Sequence, residues 1–358
     1  MTLYVKGYYF NGANFSLVYN QNEGERIYLD QIRSPSQSYA AVFLRESTDT
    51  DNTVIHLFRN DGTQVYRLAV GEPAKQWAVS DAGEVLIYTE VPTDEDEKEK
   101  IIRCYNSAGS QKWSVTLTGI LGNQTVSAVG IGTDYASVVY SDTIRFYDVD
   151  TGENTKIIQT GKDIGGSQVA GFYNMRYSST GHWIVYLHYT SNGIEVLFVN
   201  SDGSWYAWKR EDSGTYGKSC RTILSADAAC SKVIATFRYS THSWRHTLFF
   251  RETGRVATFD YSETTSLPRA QSISPCGSWL NKESTLYQIK ADGVEEYKSI
   301  AWASGESGCK DCDLSYYGRY LLVRHDSGKV WAYDFEDGIE LDYVENPLKS
   351  KVIILCAD

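Results

Sequence analysis

The sequence predicts an all-β protein built from a repeated unit of roughly 45 residues. Two markers keep step along its 358 residues. One is a glycine turn after the third strand of each unit, and the other is a serine-containing turn before the second strand. The glycines lie 39 to 51 residues apart, at Gly12, Gly62, Gly109, Gly152, Gly203, Gly254, Gly293 and Gly338. Four short antiparallel strands per unit are typical of one blade of a β-propeller.

The clearest unit covers residues 312–344. A first short run ends at Ser315 and is followed by a turn that contains Gly318. Three further apolar runs follow, at Tyr320–Arg324, Val330–Phe335 and Ile339–Val344. Ser327-Gly328 and Asp337-Gly338 separate these runs, and such pairs close hairpins because they tolerate positive φ. The unit is therefore predicted to form inner strand, turn, second strand, loop, third strand, turn and outer strand.

The turn before the second strand recurs at residues 34–36, 80–83, 130–134, 178–181, 225–227, 274–277 and 315–318, and each copy except 130–134 contains a serine. Residues 75–117 show it in a second well-preserved unit, which carries Trp113 in its last strand. These repeats resemble the WD-like and pyrroloquinoline-quinone-type propeller repeats, whose copies have a comparable serine-glycine turn and a tryptophan in the last strand. Most other copies here lack that tryptophan. The resemblance implies architecture alone, because such propellers serve many unrelated functions.

Seven complete four-stranded units run from Tyr28 to Val344. Strand-like segments remain outside them, at Leu3–Phe10, Phe15–Tyr19 and Lys351–Cys356. The sequence favours eight four-stranded blades in a single domain, residues 1–358. The eighth blade would combine residues 1–20 with 350–358, one strand short, and would close the ring by joining the N- and C-terminal strands. A seven-bladed ring with extra terminal strands is the alternative.

Composition limits the class of protein further. A net charge of −11 argues against nucleic-acid binding, which depends on clustered Lys and Arg. No signal peptide precedes the first strand-like residues, and no apolar stretch is long enough to span a membrane. Seven cysteines are too few and too scattered for a disulfide framework, so a cytoplasmic protein is expected, against the weak hint of glycosylation sequons at Asn14 and Asn123.

The sequence offers only weak evidence for metal-binding or catalytic motifs. Cys309 and Cys312 form a CxxC placed in a loop before an inner strand, but structural zinc normally needs four ligands and no second CxxC exists. His242 and His246 are four residues apart, a spacing that suits a helix rather than a strand. Motifs for hydrolytic nucleophiles, zinc proteases and phosphate-binding loops are missing from the sequence. No catalytic residue, metal site or cofactor is therefore predicted.

Loop lengths point to one rim of the propeller. Connections after the inner and third strands are short and define a tight-turn rim, whereas those after the second and outer strands are long and define a long-loop rim. The long loops carry residue types that dominate protein interfaces, namely Tyr216, Tyr239, Trp244, Arg245 and Trp302. The sequence therefore predicts a non-enzymatic interaction platform or scaffold subunit that binds a protein partner on this rim. A propeller that binds a small ligand or substrate in its central channel is the alternative.

Overall fold

The computed structural model describes residues 4–23, 26–45, 52–92, 98–120, 124–141, 143–159, 172–190, 193–209, 224–238, 243–262, 271–291, 293–345 and 350–356. Within these ranges all regular secondary structure is β, in 31 strands. None of the described segments is a helix that could cross a membrane.

Seven four-stranded sheets form the blades, and each hydrogen-bonds its strands in chain order as an antiparallel meander. Blade 1 contains β3 (Ile27–Arg33), β4 (Tyr39–Arg45), β5 (Thr53–Arg59) and β6 (Gln64–Ala69). Blade 2 contains β7 (Ala74–Val79), β8 (Val85–Pro92), β9 (Lys98–Tyr105) and β10 (Gln111–Thr116). Blade 3 contains β11 (Val126–Ile131), β12 (Tyr135–Tyr140), β13 (Thr143–Asp148) and β14 (Asn154–Gln159).

The remaining blades follow the same order. Blade 4 contains β15 (Phe172–Tyr177), β16 (Trp183–Thr190), β17 (Gly193–Asn200) and β18 (Trp205–Lys209). Blade 5 contains β19 (Leu224–Ala226), β20 (Lys232–Arg238), β21 (Ser243–Phe250) and β22 (Val256–Ser262). Blade 6 contains β23 (Gln271–Ile273), β24 (Trp279–Lys282), β25 (Thr285–Lys290) and β26 (Gly293–Ser299). Blade 7 contains β27 (Cys309–Leu314), β28 (Tyr320–His325), β29 (Val330–Asp334) and β30 (Ile339–Val344).

The middle strands of each blade are apolar because both of their faces are covered by neighbouring blades. In blade 1, β4 and β5 are buried almost throughout, whereas the outer strand of blade 6, β26, is largely exposed. The core clusters lie between consecutive blades: one joins Phe43 of blade 1 to Ile87 of blade 2, and the next joins Tyr88 of blade 2 to Val138 of blade 3. Each blade therefore depends on its neighbours for its core.

The serine-glycine turn has a fixed hydrogen-bond pattern, seen clearly in blade 2. Ser80 Oγ accepts a hydrogen bond from the backbone N–H of Glu84 at 3.0 Å, and Gly83 N–H donates to Ser80 O at 3.1 Å. Gly83 has a φ of +79°, which favours glycine. A Cβ at Gly83 would also lie 2.8 Å from the ring of Tyr39 in blade 1. The turn glycine is therefore required both by its backbone conformation and by the neighbouring blade.

Trp113, the sequence match to the WD-like tryptophan, serves the same purpose on the outer strand. Its Nε1 donates to Val149 O at 2.7 Å, and its ring would lie 2.7 Å from a Cβ at Gly152 of blade 3. Gly83 in the serine-glycine turn and Gly152 in the turn after a third strand therefore both lie at contacts between neighbouring blades, which explains why the two sequence markers keep step.

The preferred count of eight four-stranded blades is wrong, because the structure has seven. The inner strands of blades 1 and 7 are bonded directly to each other, which leaves no place for another inner strand between them. Arg33 of β3 forms an ion pair with Asp313 of β27. Gln37 Nε2 donates to Asp313 Oδ1 at 3.1 Å and to Leu314 O at 3.0 Å.

The terminal segments instead form a separate three-stranded sheet from β1 (Tyr4–Phe10), β2 (Phe15–Asn22) and β31 (Ser350–Cys356), in the order β2-β1-β31. β1 pairs antiparallel with β2 but parallel with β31. A blade is an antiparallel meander, so the parallel pairing overturns the predicted eighth blade. Apolar side chains of this terminal sheet contact both end blades, Phe10 packing on Tyr320 and Tyr19 on Phe58.

A buried charged cluster joins the terminal sheet to blade 1. The Glu23 carboxylate is fully buried and forms ion pairs with Arg26 at 2.8 Å and Arg67 at 3.3 Å. Its Oε1 lies 3.2 Å from Nε2 of His56, which is also fully buried. His56 Nδ1 lies 3.1 Å from the amide nitrogen of Gln64, which can donate to it only if the imidazole is neutral and carries its proton on Nε2.

Stability is expected to fall on mild acidification. Burial lowers the pKa of His56 from 6.5 to about 4, although the Glu23 carboxylate acts in the opposite direction. Since the unfolded state then binds more protons below pH 6.5, the stabilisation is complete above that pH and is lost as the pH falls towards 4. The loss from His56 between pH 7 and pH 5 is about 2 kcal/mol.

Urea unfolding of the wild type and of His56→Gln at pH 7 and pH 5 tests this expectation. Burial also lowers the pKa of His246 to about 3, so the wild type carries a second contribution of the same sign. The comparison with His56→Gln isolates the first. Equal losses of stability in the two proteins would contradict the role given to His56.

Candidate partner-binding surface

Four of the five predicted partner-binding residues lie wholly or partly outside the portion of the chain that the structure describes. Tyr216 and Tyr239 lie outside the described residues. Trp244 and Arg245 belong to β21, the third strand of blade 5, where Trp244 pairs with Tyr261 and Arg245 with Asp260. They were predicted in a loop, but the strand already begins at Ser243; their side chains lie outside the described part. Their role in binding stays a prediction.

The CxxC pair lies within the inner strand β27 rather than in the predicted loop before it. Cys309 is buried in the core of blade 7. Cys312 Sγ accepts a hydrogen bond from Asn281 Nδ2 of blade 6 at 3.1 Å. Among the residues that the structure describes, no group of three or more His, Cys, Asp or Glu side chains is arranged to hold a metal ion.

Trp302, the fifth predicted residue, lies on the long-loop rim in the connection between blades 6 and 7. It is half-buried, and its ring packs on His325 at 5.0 Å and on Tyr333 at 5.4 Å between centroids. Both partners belong to blade 7, and Trp302 adjoins that blade's hydrophobic core. Trp302 therefore anchors its loop, and only part of its ring is available to a partner.

A chain of hydrogen bonds fixes the rest of this loop. Ala303 N–H donates to the Tyr333 hydroxyl at 3.3 Å, and that hydroxyl lies 2.7 Å from His325 Nε2. His325 Nδ1 lies 2.7 Å from Gly308 O, to which only an N–H can donate. His325 Nδ1–H therefore donates to this carbonyl, and the other ring nitrogen forms a hydrogen bond with the Tyr333 hydroxyl. Burial raises the pKa of the Tyr333 hydroxyl, which keeps it protonated as this chain requires.

Glu306 fastens the middle of the same loop to the turn between β28 and β29. Its carboxylate accepts hydrogen bonds from the Ser327 hydroxyl at 2.6 Å and from Trp331 Nε1 at 3.2 Å. Lys329 Nζ lies 3.8 Å away. Burial is the largest single influence on the pKa of Glu306 and raises it, but these donors together outweigh burial and lower the pKa below its usual value. The loop is thus held in one conformation by backbone, hydroxyl, indole and ammonium groups.

Beside this loop an exposed aromatic stack faces the solvent. Tyr343 is 40% exposed and stacks on Trp331 with ring centroids 4.6 Å apart. Lys329 Nζ lies 4.6 Å from the centroid of the Tyr343 ring, at cation–π distance. We call Trp302, Glu306, Lys329, Trp331 and Tyr343 the blade 7 aromatic patch.

The geometry of the patch suits recognition of another surface. Tyr and Trp rings bury large areas at little cost in rotamer freedom, and a fixed loop avoids the entropy of ordering on binding. The sequence prediction included Trp302 but missed Trp331 and Tyr343, because both lie in predicted strands. The hairpin turn at Asp337-Gly338 could have indicated their contact, because it pairs Trp331 with Tyr343 across the two strands.

No known family matches the sequence, and no curated protein is similar to it in sequence. Solved structures do match the fold. The structure of Kluyvelomyces marxianus Hsv2 has a TM-score of 0.56 at 11% identity, over 90% of this chain and 98% of that chain. The C-terminal WD40 domain of Sif2 has a TM-score of 0.57 at 12% identity, over 89% of this chain and 85% of that chain.

BamB from Moraxella catarrhalis is similar too, with a TM-score of 0.50 at 13% identity over 90% of this chain and 91% of that chain. At such identities the likeness concerns the fold alone. Together with the seven four-stranded blades, it confirms the architecture that the repeats predict: the chain has a β-propeller fold.

Proposed function

We propose that this protein is a non-enzymatic interaction platform that binds a protein partner on the long-loop rim, through the blade 7 aromatic patch. The observation that carries the proposal is the stack of Lys329, Tyr343 and Trp331 beside a loop held by Trp302 and Glu306. Such a surface combines exposed aromatic area with a fixed backbone, which is the usual composition of a binding hot spot.

Support comes also from the kind of fold. Propellers display binding residues on a rigid ring of sheets, and one similar structure is a WD40 domain. The partner should meet Tyr343 with an apolar or aromatic group, because that ring is the most exposed of the patch.

Tyr343→Ala is expected to weaken partner binding by roughly 1–3 kcal/mol, because it removes the exposed ring and leaves Lys329 without its aromatic contact. The partner would first be isolated with the untagged wild type and identified by mass spectrometry, and its dissociation constant then measured by calorimetry for each variant. Trp302→Ala is a poorer probe, because Trp302 packs against the core and its loss would reduce stability as well.

Tyr317→Ala provides the matched control. Tyr317 is 66% exposed, so it offers at least as much aromatic area, but it lies in the turn between β27 and β28 on the tight-turn rim. Its substitution should leave the dissociation constant unchanged. If Tyr317→Ala weakens binding and Tyr343→Ala does not, the partner binds the opposite rim and the proposal is wrong.

A further inference from the structure

Seven equivalent positions surround the central channel near the tight-turn rim. They lie two residues before the serine of each turn, or the residue in its place, on the inner strands. Backbone pairing sets them level, each opposite the same position of its second strand, as in Arg176↔Val185, Ser225↔Ile234 and Asp313↔Leu322. We call this the channel layer; it consists of Ile32, Ala78, Gly130, Arg176, Ser225, Ser272 and Asp313.

Most members of the channel layer are small, and the polar ones in blades 5 and 6 bond the next inner strand. Ser225 Oγ accepts from Ile273 N–H at 3.1 Å. Ser272 Oγ accepts from Leu314 N–H at 3.4 Å and donates to Asp313 Oδ1 at 3.3 Å. These side chains are therefore used to hold neighbouring blades together.

Asp313 completes this series at blade 7. Its carboxylate accepts from Ser272, from Gln37 and from Arg33, with which it forms an ion pair. Its negative charge is therefore already matched by the guanidinium of Arg33. No second cation is required there.

Tyr177 joins the inner strands of blades 2 and 4. Its hydroxyl accepts from Val79 N–H at 3.1 Å and donates to Val79 O at 3.0 Å, although Val79 belongs to blade 2 and Tyr177 to blade 4. The ring passes over Gly130 of blade 3, where a Cβ would lie 3.0 Å from it. The glycine in the channel layer therefore permits this crossing, and the Tyr177 hydroxyl is fully engaged.

Arg176 departs from the pattern of the channel layer. It carries the largest side chain of the layer and is solvent-exposed, and its one described hydrogen bond runs from Nη1 to the carbonyl of Met175 at 3.1 Å. It forms no ion pair within the described part of the chain, where the nearby Asp313 is paired with Arg33. Desolvation by the surrounding protein lowers the pKa of Arg176. A guanidinium that is both exposed and desolvated fits a water-accessible channel enclosed by protein.

We propose that Arg176 binds the oxyanion group of a small ligand, a phosphate or a carboxylate, in the central channel. A guanidinium offers such a group two parallel N–H donors, and in an enclosed site this pairing is stronger than at an open surface. This site is independent of the blade 7 aromatic patch, which lies on the other rim.

Calorimetric titration with inorganic phosphate and, separately, with citrate tests the proposal. Ionic strength is held constant with sodium chloride so that general screening does not contribute. Wild type should bind at least one of the two anions at one site, and Arg176→Gln should bind it roughly tenfold more weakly or worse. The stronger anion identifies whether the site prefers phosphate or carboxylate.

Arg255→Gln is the matched control, because Arg255 is exposed and its Nη1 also donates to a backbone carbonyl, that of Ala291. It should bind the anion as the wild type does. Without ligand, Arg176→Gln should melt at the same temperature as the wild type or higher, because a desolvated charge has been removed. Equal affinity of wild type and Arg176→Gln, binding of neither anion, or a lower melting temperature of unliganded Arg176→Gln would each overturn the proposal.

Discussion

Gly181→Ala is expected to destabilise the propeller by roughly 3 kcal/mol or more, and to prevent folding if the two blades cannot move apart. Gly181 lies in the serine-glycine turn of blade 4 with a φ of +78°. A Cβ there would lie 2.0 Å from the carbonyl oxygen of Tyr135 in blade 3, and 3.0 Å from the backbone nitrogen of Gly132. Both obstacles are backbone atoms, so no side-chain rotation relieves the clash.

Gly71→Ala separates the clash from the cost of the backbone conformation. Gly71 has the same φ of +78°, but nothing lies within 4 Å of the position that a Cβ would occupy. This variant should lose only about 1 kcal/mol, the strain of a left-handed alanine. Urea unfolding of both variants gives the comparison. Equal losses at the two positions would show that the contact between blades 3 and 4 is not the cause.

The repeat itself could be predicted because its markers are local. A glycine with positive φ and a serine that caps a turn produce the same short sequence pattern wherever they occur. Both markers lie at contacts between blades, because Gly83 packs against Tyr39 and Gly152 packs against Trp113. The predicted strand runs of blade 7 accordingly agree closely with β28 to β30.

The number of blades could not be read in the same way. Strand composition in residues 4–22 and 350–356 was recognised correctly, but composition does not specify a partner. The parallel pairing of β1 with β31 and the ion pair between Arg33 and Asp313 join residues hundreds of positions apart in the chain. Counting strands therefore favoured an eighth blade, which these long-range contacts exclude.

The binding surface shows a similar division. Loop lengths indicated the long-loop rim and Trp302, but not that Trp302 packs on His325 and Tyr333. Arg176 gave no signal at all, because a charged residue inside a strand is unremarkable in sequence. Only the comparison of the seven channel-layer positions, which come from distant segments of the chain, reveals that the guanidinium of Arg176 has no carboxylate partner among the described residues.

Glu23→Ala is expected to lower the free energy of unfolding by about 3 kcal/mol. The carboxylate is fully buried beside the imidazole of His56 and accepts hydrogen bonds from Arg26 and Arg67, so its removal leaves two guanidinium groups without their acceptor. The estimate stands at the low end for a buried ion cluster because both guanidinium groups are partly exposed and can recover some hydration. Since Glu23 follows directly after β2, the terminal sheet should loosen from blade 1 before the other blades unfold.

Glu295→Ala is the control, since the Glu295–Lys290 ion pair is open to solvent on both sides and its loss should cost less than about 1 kcal/mol. Urea unfolding at pH 7 measures both variants, and hydrogen exchange of the β1 and β2 amides reports on the terminal sheet. Glu23→Ala should increase that exchange while the amides of blade 4 remain protected. A loss no larger than that of Glu295→Ala, with unchanged exchange in β1 and β2, would show that the buried cluster does not hold the terminal sheet to blade 1.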